Sequence, residues 1–144
     1  MTAIDYQKEI ASYCQRVIEA IHPDCIILHG SVARGNAHQH SDVDIIVIGG
    51  EMPEKFFKRL YVLNRLRSGG APIEVIGYSR QEWKRMMDAL HLTALEALEW
   101  GAPLYGEALF KQWRNQLDDL KRRGLKRGEG SWSAPPELLQ QEVA

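Results

Sequence analysis

A Gly-Ser pair and an Asp-x-Asp triplet constrain this chain more than any other feature. Gly30-Ser31 ends one short apolar run, and after ten intervening residues Asp42-Val43-Asp44 begins another. Side chains at positions i and i+2 of a strand point to the same face of a sheet. The sequence therefore predicts that Asp42 and Asp44 lie side by side at the entrance of an otherwise apolar strand.

Two adjacent carboxylates repel each other, and each raises the pKa of the other. A divalent cation between them relieves this cost, and Mg²⁺ is usually held by one or two carboxylates together with substrate phosphates. Gly30 allows a phosphate to approach the backbone closely, and Ser31 offers a hydroxyl donor. The pattern thus indicates a site for Mg²⁺ and a phosphorylated ligand, and the alternative is an ordinary solvated turn.

This spacing resembles the signature of the DNA polymerase beta-like nucleotidyltransferase superfamily. Over roughly residues 5–106 the chain resembles the smallest branch, the minimal nucleotidyltransferases (MNT). The resemblance implies Mg²⁺ as cofactor and ATP as substrate. It also implies metal binding by Asp42 and Asp44, and nucleotide binding by Gly30, Ser31, Arg34 and Ser41.

Glu74 is the candidate third carboxylate, for both catalysis and metal binding. It lies inside the apolar run 73–76, where a charged residue needs a partner or a metal. The resembled family places an acidic residue, usually aspartate, on a strand beside the Asp-x-Asp strand. There it helps to bind the catalytic metal and accepts the proton of the attacking hydroxyl. The alternative is an exposed glutamate paired with an arginine.

His38 and His40 could be combined with Asp42 into a transition-metal site, since histidine suits zinc. The three residues fall in a polar loop without an evident fourth ligand, so a solvated loop is the better interpretation. His29 is predicted to be half-buried and structural. The sequence presents no Ser-His-Asp or Cys-His set, which disfavours hydrolysis through a covalent intermediate.

Composition narrows the classes of protein to which the chain could belong. The 144 residues suit one domain, and 44% hydrophobic with 26% charged residues is an ordinary globular mixture. A net charge of -1 argues against a protein that coats nucleic acid through bulk charge. The two cysteines, Cys14 and Cys25, fall in apolar segments and are predicted to be core residues. No membrane span or signal peptide is recognisable, so a cytoplasmic protein is expected.

Hydrophobic periodicity predicts alternating helices and strands, and hence an α/β (α+β) fold in which helices flank a small sheet. The family resemblance implies that this sheet is mixed. The predicted strands are 25–28, 43–48, 73–76 and an edge strand at 102–105. The predicted helices are 5–21, one that begins near Pro53 and stops before Gly69, 79–100 and 107–123.

One predicted helix carries a detailed expectation about its two faces. After Pro53, the apolar face is assigned to Phe56, Phe57, Leu60, Leu63 and Leu66. The opposite, solvated face is assigned to Lys55, Lys58, Arg59, Arg65 and Arg67.

The chain is predicted to divide into an MNT domain, residues 1–106, and a C-terminal helix with a basic tail, residues 107–144. Residues 124–144 are expected to be irregular or partly disordered. The basic run near residue 121, together with Trp132, could contact RNA. A charged, solvated helix end is the commoner explanation.

The sequence favours a Mg²⁺-dependent nucleotidyltransferase that moves AMP from ATP to a hydroxyl on a protein or RNA. The family resemblance further implies a HEPN-type protein partner in a toxin–antitoxin pair. One alternative is a binding-only antitoxin that acts mainly through residues 107–144. Another is a small-molecule nucleotidyltransferase of the aminoglycoside-modifying kind.

Overall fold

A four-stranded mixed sheet forms the centre of a computed structural model that describes residues 3–30 and 42–139. Its strands are β1 (Cys25–His29), β2 (Val43–Ile48), β3 (Ile73–Tyr78) and β4 (Ala102–Tyr105). The order across the sheet is β3-β2-β1-β4. β2 runs parallel to β3 and antiparallel to β1, and β4 runs antiparallel to β1. This arrangement confirms the expected fold class, including the edge position of the strand that contains Pro103.

Helices cover both faces of the sheet. They are α1 (Ala3–Ile21), α2 (Phe56–Arg65), α3 (Arg80–Asp88), α4 (Leu92–Trp100) and α5 (Glu107–Arg122). One apolar core joins α1 and α2 to the face that carries Ile26, Ile45 and Val75. The other joins α3, α4 and α5 to the face that carries Ile27 and Ile46. Burying both faces explains why the central strands are almost continuously apolar.

The segment after β4 belongs to the second core. Phe110 and Leu117 of α5 are buried in the same cluster as Trp83. β5 (Lys126–Arg127), β6 (Trp132–Ser133) and the short helix α6 (Pro136–Leu139) follow. Leu125 and Leu138 are also buried. Residues 125–139, expected to be irregular or partly disordered, thus contain short elements of secondary structure, and two leucines anchor them to the core.

The predicted helix 79–100 is in fact two helices. The expected capping box is present: the Ser79 hydroxyl accepts the Glu82 N–H, and Glu82 accepts the Ser79 N–H. α3 ends at Asp88, and Leu90 takes a left-handed conformation with φ 53°. His91 then caps α4, its Nδ1 accepting the Thr93 N–H at 3.2 Å. A histidine cap without glycine or proline leaves little signal in a sequence.

α2 reverses part of its expected pattern. Arg59, assigned to the solvated face, is only 2% exposed, whereas Phe57, assigned to the apolar face, is 82% exposed. The guanidinium can be buried because each of its three nitrogens donates a hydrogen bond: the acceptors are the carbonyls of Pro53, Glu54 and Gly77 and the Glu82 carboxylate.

In the described part of the chain, every helix is too short or too polar to span a bilayer.

Candidate functional site

Asp44 and Glu74 occupy equivalent positions at the N-terminal ends of two neighbouring strands. Each is the second residue of its strand, and the parallel register of β2 and β3 places them directly opposite each other. The antiparallel register of β1 and β2 places His29 opposite Asp44 on the other side. Residues paired in this way point to the same face of a sheet. Three polar side chains therefore cross three adjacent strands in one row.

Asp42 directly precedes β2 and is exposed. Burial raises the pKa of Asp44, and the charge of Asp42 raises it further, although a hydrogen bond with Glu74 opposes the shift. The charge of Asp42 is the main cause that raises the pKa of Glu74, and desolvation and Asp44 add to it. The three carboxyl groups thus interact with one another, as the sequence predicts for Asp42 and Asp44 and as the resemblance implies for Glu74.

This cluster has the chemistry of a divalent cation site, since it gathers oxygen ligands whose mutual repulsion a cation would relieve. In residues 3–30 and 42–139, no three His, Cys, Asp or Glu side chains are already arranged as a metal-binding group. Hydrogen bonds with Asp44 and Asp42 add to the causes that raise the pKa of Glu74.

Gly30 lies against the Asp44 carboxylate. Its backbone has φ +79°, a left-handed conformation that favours glycine. A Cβ atom at this position would lie 2.1 Å from Asp44 Oδ2, well inside van der Waals contact. Only glycine can occupy this turn while Asp44 keeps its position, which gives the Gly30 of the sequence motif a steric reason.

We expect Gly30→Ala to lower the nucleotide transfer that the sequence resemblance implies by about 100-fold, because an added methyl group displaces Asp44 and small misplacements of a catalytic group can cost this much. The left-handed backbone adds about 1–2 kcal/mol of instability. Transfer rates and thermal melting would separate the two effects. Gly130→Ala is the matched control, since Gly130 has φ +75° with nothing within 4 Å of the added atom. An equal loss of transfer in both variants would contradict the steric argument.

A cleft of about 540 Å³ opens beside the carboxylates. Its wall has contributions from β1, β2, β3, α2 and the start of α4. The polar lining residues are His29, Asp44, Asn64, Arg67, Glu74, Tyr78 and Thr93, and Leu60 and Ile76 are among the apolar ones. A volume of this size suits a nucleotide-sized ligand. Apolar walls combined with polar groups that converge on one cleft are typical of a small-molecule binding site.

Four polar residues of the cleft were not identified as site candidates from the sequence: Asn64, Arg67, Tyr78 and Thr93. Asn64 and Arg67 come from the α2 region, and Thr93 comes from a helix start that the sequence does not reveal. Tyr78 continues the alternation of Glu74 and Ile76 along β3, which is the one signal that could have found it. His29 is half-buried as predicted, and it also lines the cleft.

Ser31, Arg34 and Ser41, predicted to bind the nucleotide, lie outside the described residues, and so do His38 and His40. Both cysteines are free and buried. Burial raises the pKa of Cys14 to about 11 and that of Cys25 to about 12. Neither thiol is therefore an activated nucleophile, in agreement with their assignment to the core.

A model of the "Polymerase beta, Nucleotidyltransferase" family matches residues 8–90, more than half of the chain. This range contains Gly30, Asp42, Asp44 and Glu74. No protein with a curated description matches significantly.

Two solved structures resemble the fold. A Sulfolobus solfataricus protein assigned as a nucleotidyltransferase is 25% identical with a TM-score of 0.49, and the match covers 58% of this chain and 75% of that one. A toxin–antitoxin structure with AMP-PNP is 14% identical with a TM-score of 0.49, and the match covers 78% and 86%. Family membership rests on the family model alone.

Proposed function

This chain belongs to the polymerase beta nucleotidyltransferase family and is a nucleotidyltransferase, and we propose that it moves AMP from ATP to a hydroxyl group in a Mg²⁺-dependent reaction. The observation that carries the proposal is the register of β2 and β3, which places Asp44 opposite Glu74. Asp42 is close enough to perturb the Glu74 carboxyl. Three interacting carboxylates beside a nucleotide-sized cleft match the chemistry of phosphoryl-group activation.

In the proposed mechanism, Asp42, Asp44 and Glu74 hold the metal ions. When bound, Mg²⁺ neutralises charge on the triphosphate and aligns it for in-line displacement. Gly30 and Ser31 position the phosphates, and Arg34 and Ser41 complete nucleotide binding. The assignments of Ser31, Arg34 and Ser41 come from the resemblance of the sequence to the family signature.

The acceptor hydroxyl oxygen attacks the α-phosphorus and forms a new phosphoester bond. The bond from that phosphorus to the oxygen bridging to the β-phosphate breaks, and pyrophosphate leaves with the bonding electrons. Glu74, as a carboxylate, accepts the hydroxyl proton. The register of β2 and β3, which sets Glu74 opposite Asp44, supports this assignment.

The acceptor is proposed to be a hydroxyl on a protein or RNA in the cytoplasm. A HEPN-type toxin is the proposed protein partner, on the strength of the MNT-like sequence pattern. The C-terminal segment supports this reaction indirectly, since α5 completes the core behind the cleft through Phe110 and Leu117. Truncation at Gly106 would expose this core, so point variants are the appropriate test of the segment.

The test uses purified protein, Mg²⁺ and lysate from the source organism, with ATP labelled on either the α- or the γ-phosphate. Compared with the same lysate containing the Asp44→Asn variant, we expect additional label on an acceptor only from α-labelled ATP, because the γ-phosphate leaves in pyrophosphate. Chelation of Mg²⁺ should abolish transfer. Protease and ribonuclease treatment would then separate protein from RNA acceptors. Transfer of the γ-label would indicate a kinase, and absence of any transfer would favour a binding-only antitoxin.

A further inference from the structure

α2 has an outer face that the fold does not use. Phe57 is 82% exposed and Tyr61 is 62% exposed, and the two lie one helical turn apart. Phe56, 40% exposed, contacts Phe57 edge-on with 5.7 Å between ring centroids. The Arg65 guanidinium lies 5.6 Å from the Tyr61 ring centroid. Large exposed aromatic groups on one helix face commonly mark an interaction site.

The same face is strongly basic. Lys55, Lys58 and Arg65 are exposed on or beside this face, as is Arg67 just after the helix, and the stretch from residue 55 to residue 67 contains no aspartate or glutamate. Among the described residues, none of these four cations forms an ion pair. We call Phe57, Lys58, Tyr61 and Arg65, with Lys55 before them, the α2 aromatic–basic face.

The C-terminal basic run is different, because most of its cations are paired with carboxylates of the chain, although Lys126 is exposed and has no such pair among the described residues. Lys121 is paired with Glu99, and Arg127 is paired with Glu96. Arg122 lies 3.5 Å from Asp119. These contacts give the tail a structural role. The cations of α2 are unpaired as a group and lie beside exposed aromatic rings, which makes them the better candidates for an anionic partner.

The α2 aromatic–basic face adjoins the candidate active site. Leu60, Asn64 and Arg67, on the flank of the same helix segment, line the cleft that contains Asp44 and Glu74. Asn64 and Leu60 follow Tyr61 and Phe57 by three residues each and are thus their neighbours on the helix surface. A chain molecule that lies along this face can place its end in the cleft.

We propose that the α2 aromatic–basic face binds a single strand of nucleic acid and presents its terminal hydroxyl to the cleft as the acceptor. Phosphates require cations, and unpaired bases stack on exposed aromatic rings. A duplex offers no free base faces. Lysine is depleted in protein–protein interfaces, which makes a protein ligand the poorer fit to Lys55 and Lys58. The acceptor assignment rests on the proposed transferase function, but the binding surface does not.

The test measures fluorescence anisotropy of labelled strands of about 12 nucleotides, a length within the range of single-strand binding sites. RNA, DNA and the matching duplex are compared with the full chain in the absence of ATP. We expect the single strands to bind more tightly than the duplex, and the RNA and DNA arms identify the preferred sugar. Phe57→Ala and Tyr61→Ala should each weaken binding by about tenfold. Lys58→Gln should also reduce the salt slope by about 0.7.

Tyr105→Ala is the matched aromatic control, because Tyr105 is 41% exposed on β4 at the opposite edge of the sheet. Unchanged affinity in Phe57→Ala and Tyr61→Ala, or equal binding of the duplex, would overturn the inference. The inference would also be overturned if single strands failed to bind and Phe57→Ala instead abolished a dimer or a complex with a protein acceptor.

Adding α-labelled ATP separates the two proposals. Label on the bound strand would support both the transferase function and the acceptor role. In Tyr61→Ala this labelling should be reduced at low strand concentration and restored at high strand concentration. Label on a protein acceptor without α2-dependent strand binding overturns the inference and leaves the transferase function intact. Strand binding that depends on α2, with no label on any acceptor, refutes the acceptor role and the transferase function but leaves the binding surface.

Discussion

Asp44→Asn is expected to reduce AMP transfer by about 10³-fold or more, equivalent to ~4 kcal/mol of transition-state stabilisation. Asparagine keeps the size of the side chain and one of its oxygen atoms, but it removes the negative charge that attracts a cation. Asp44 lies directly opposite Glu74 and against Gly30, so its position is fixed from two sides. No other described carboxylate shares those contacts and could replace it.

The same substitution is expected to leave the melting temperature unchanged or higher. Burial and the charge of Asp42 both raise the pKa of Asp44, which means that the folded state disfavours its ionised form. A carboxyl with a raised folded-state pKa costs stability above that pKa, and a neutral amide removes the cost. An active-site charge that opposes folding is consistent with a trade of stability for function.

Three measurements check this prediction: the transfer rate with α-labelled ATP, calorimetric binding of ATP with Mg²⁺, and thermal melting. Asp118→Asn is the control, since Asp118 is an exposed aspartate on α5, outside the cleft. It should keep wild-type activity. If Asp44→Asn kept more than a tenth of the activity, or lost it only together with the fold, the metal assignment would be wrong.

The Asp42 and Asp44 part of the site could be predicted from residues that are close together in the sequence. The i, i+2 spacing of Asp42 and Asp44 and the apolar run that follows them predict two carboxylates at a strand entrance. β2 has the predicted bounds, Val43–Ile48. These features depend on residues close in sequence, so alternation alone is sufficient to find them.

The partnership of Asp44 with Glu74 could not be derived in this way. The two residues are thirty positions apart, and hydrophobic alternation does not say which strands are neighbours or in which register they pair. Here the family resemblance implied a neighbouring strand, and the parallel register of β2 and β3 places the two residues opposite each other. Cleft residues such as Thr93 were missed for the same reason, because only tertiary packing brings α4 to the sheet.

Arg59 and Phe57 illustrate a second limit. Binary patterning assigns arginine to solvent and phenylalanine to the core, and at these two positions both assignments are wrong. A buried arginine is tolerated only when several acceptors satisfy it, and those acceptors lie on three different segments. The exposed Phe57 has no structural partner in either core, which is what makes it a candidate for function.

Arg59→Met is expected to lower the free energy of unfolding by about 3–5 kcal/mol, because the partly exposed Glu82 loses its ion-pair partner and three backbone carbonyls lose a charged donor. The melting temperature should fall by about 10–15 °C for a chain of this size. Arg59 Nη1 donates to the Gly77 carbonyl at 2.9 Å and to Glu82 Oε1 at 2.7 Å. Nε and Nη2 donate to the carbonyls of Pro53 and Glu54. Methionine fills similar space but leaves all four acceptors without this donor.

Arg65→Met is the matched control, because Arg65 is an exposed arginine on the same helix. Its effect should stay within about 0.5 kcal/mol, as for most surface substitutions. Chemical denaturation of both variants would provide the comparison. Equal losses in the two variants would mean that the buried guanidinium contributes no more than an exposed one.

Acid titration gives an independent check on the same ion pair. Partial burial acts to raise the pKa of Glu82, but the Ser79 backbone N–H and the Arg59 guanidinium outweigh it, so the pKa is lowered overall. A carboxyl with a lowered folded-state pKa contributes stability that is complete above its unfolded pKa, near 4.5, and is lost as pH falls through the folded value. The stability difference between wild type and Arg59→Met should therefore narrow below pH 4.5. It should not vanish, because the carbonyls of Gly77, Pro53 and Glu54 do not titrate and lose their donor at every pH.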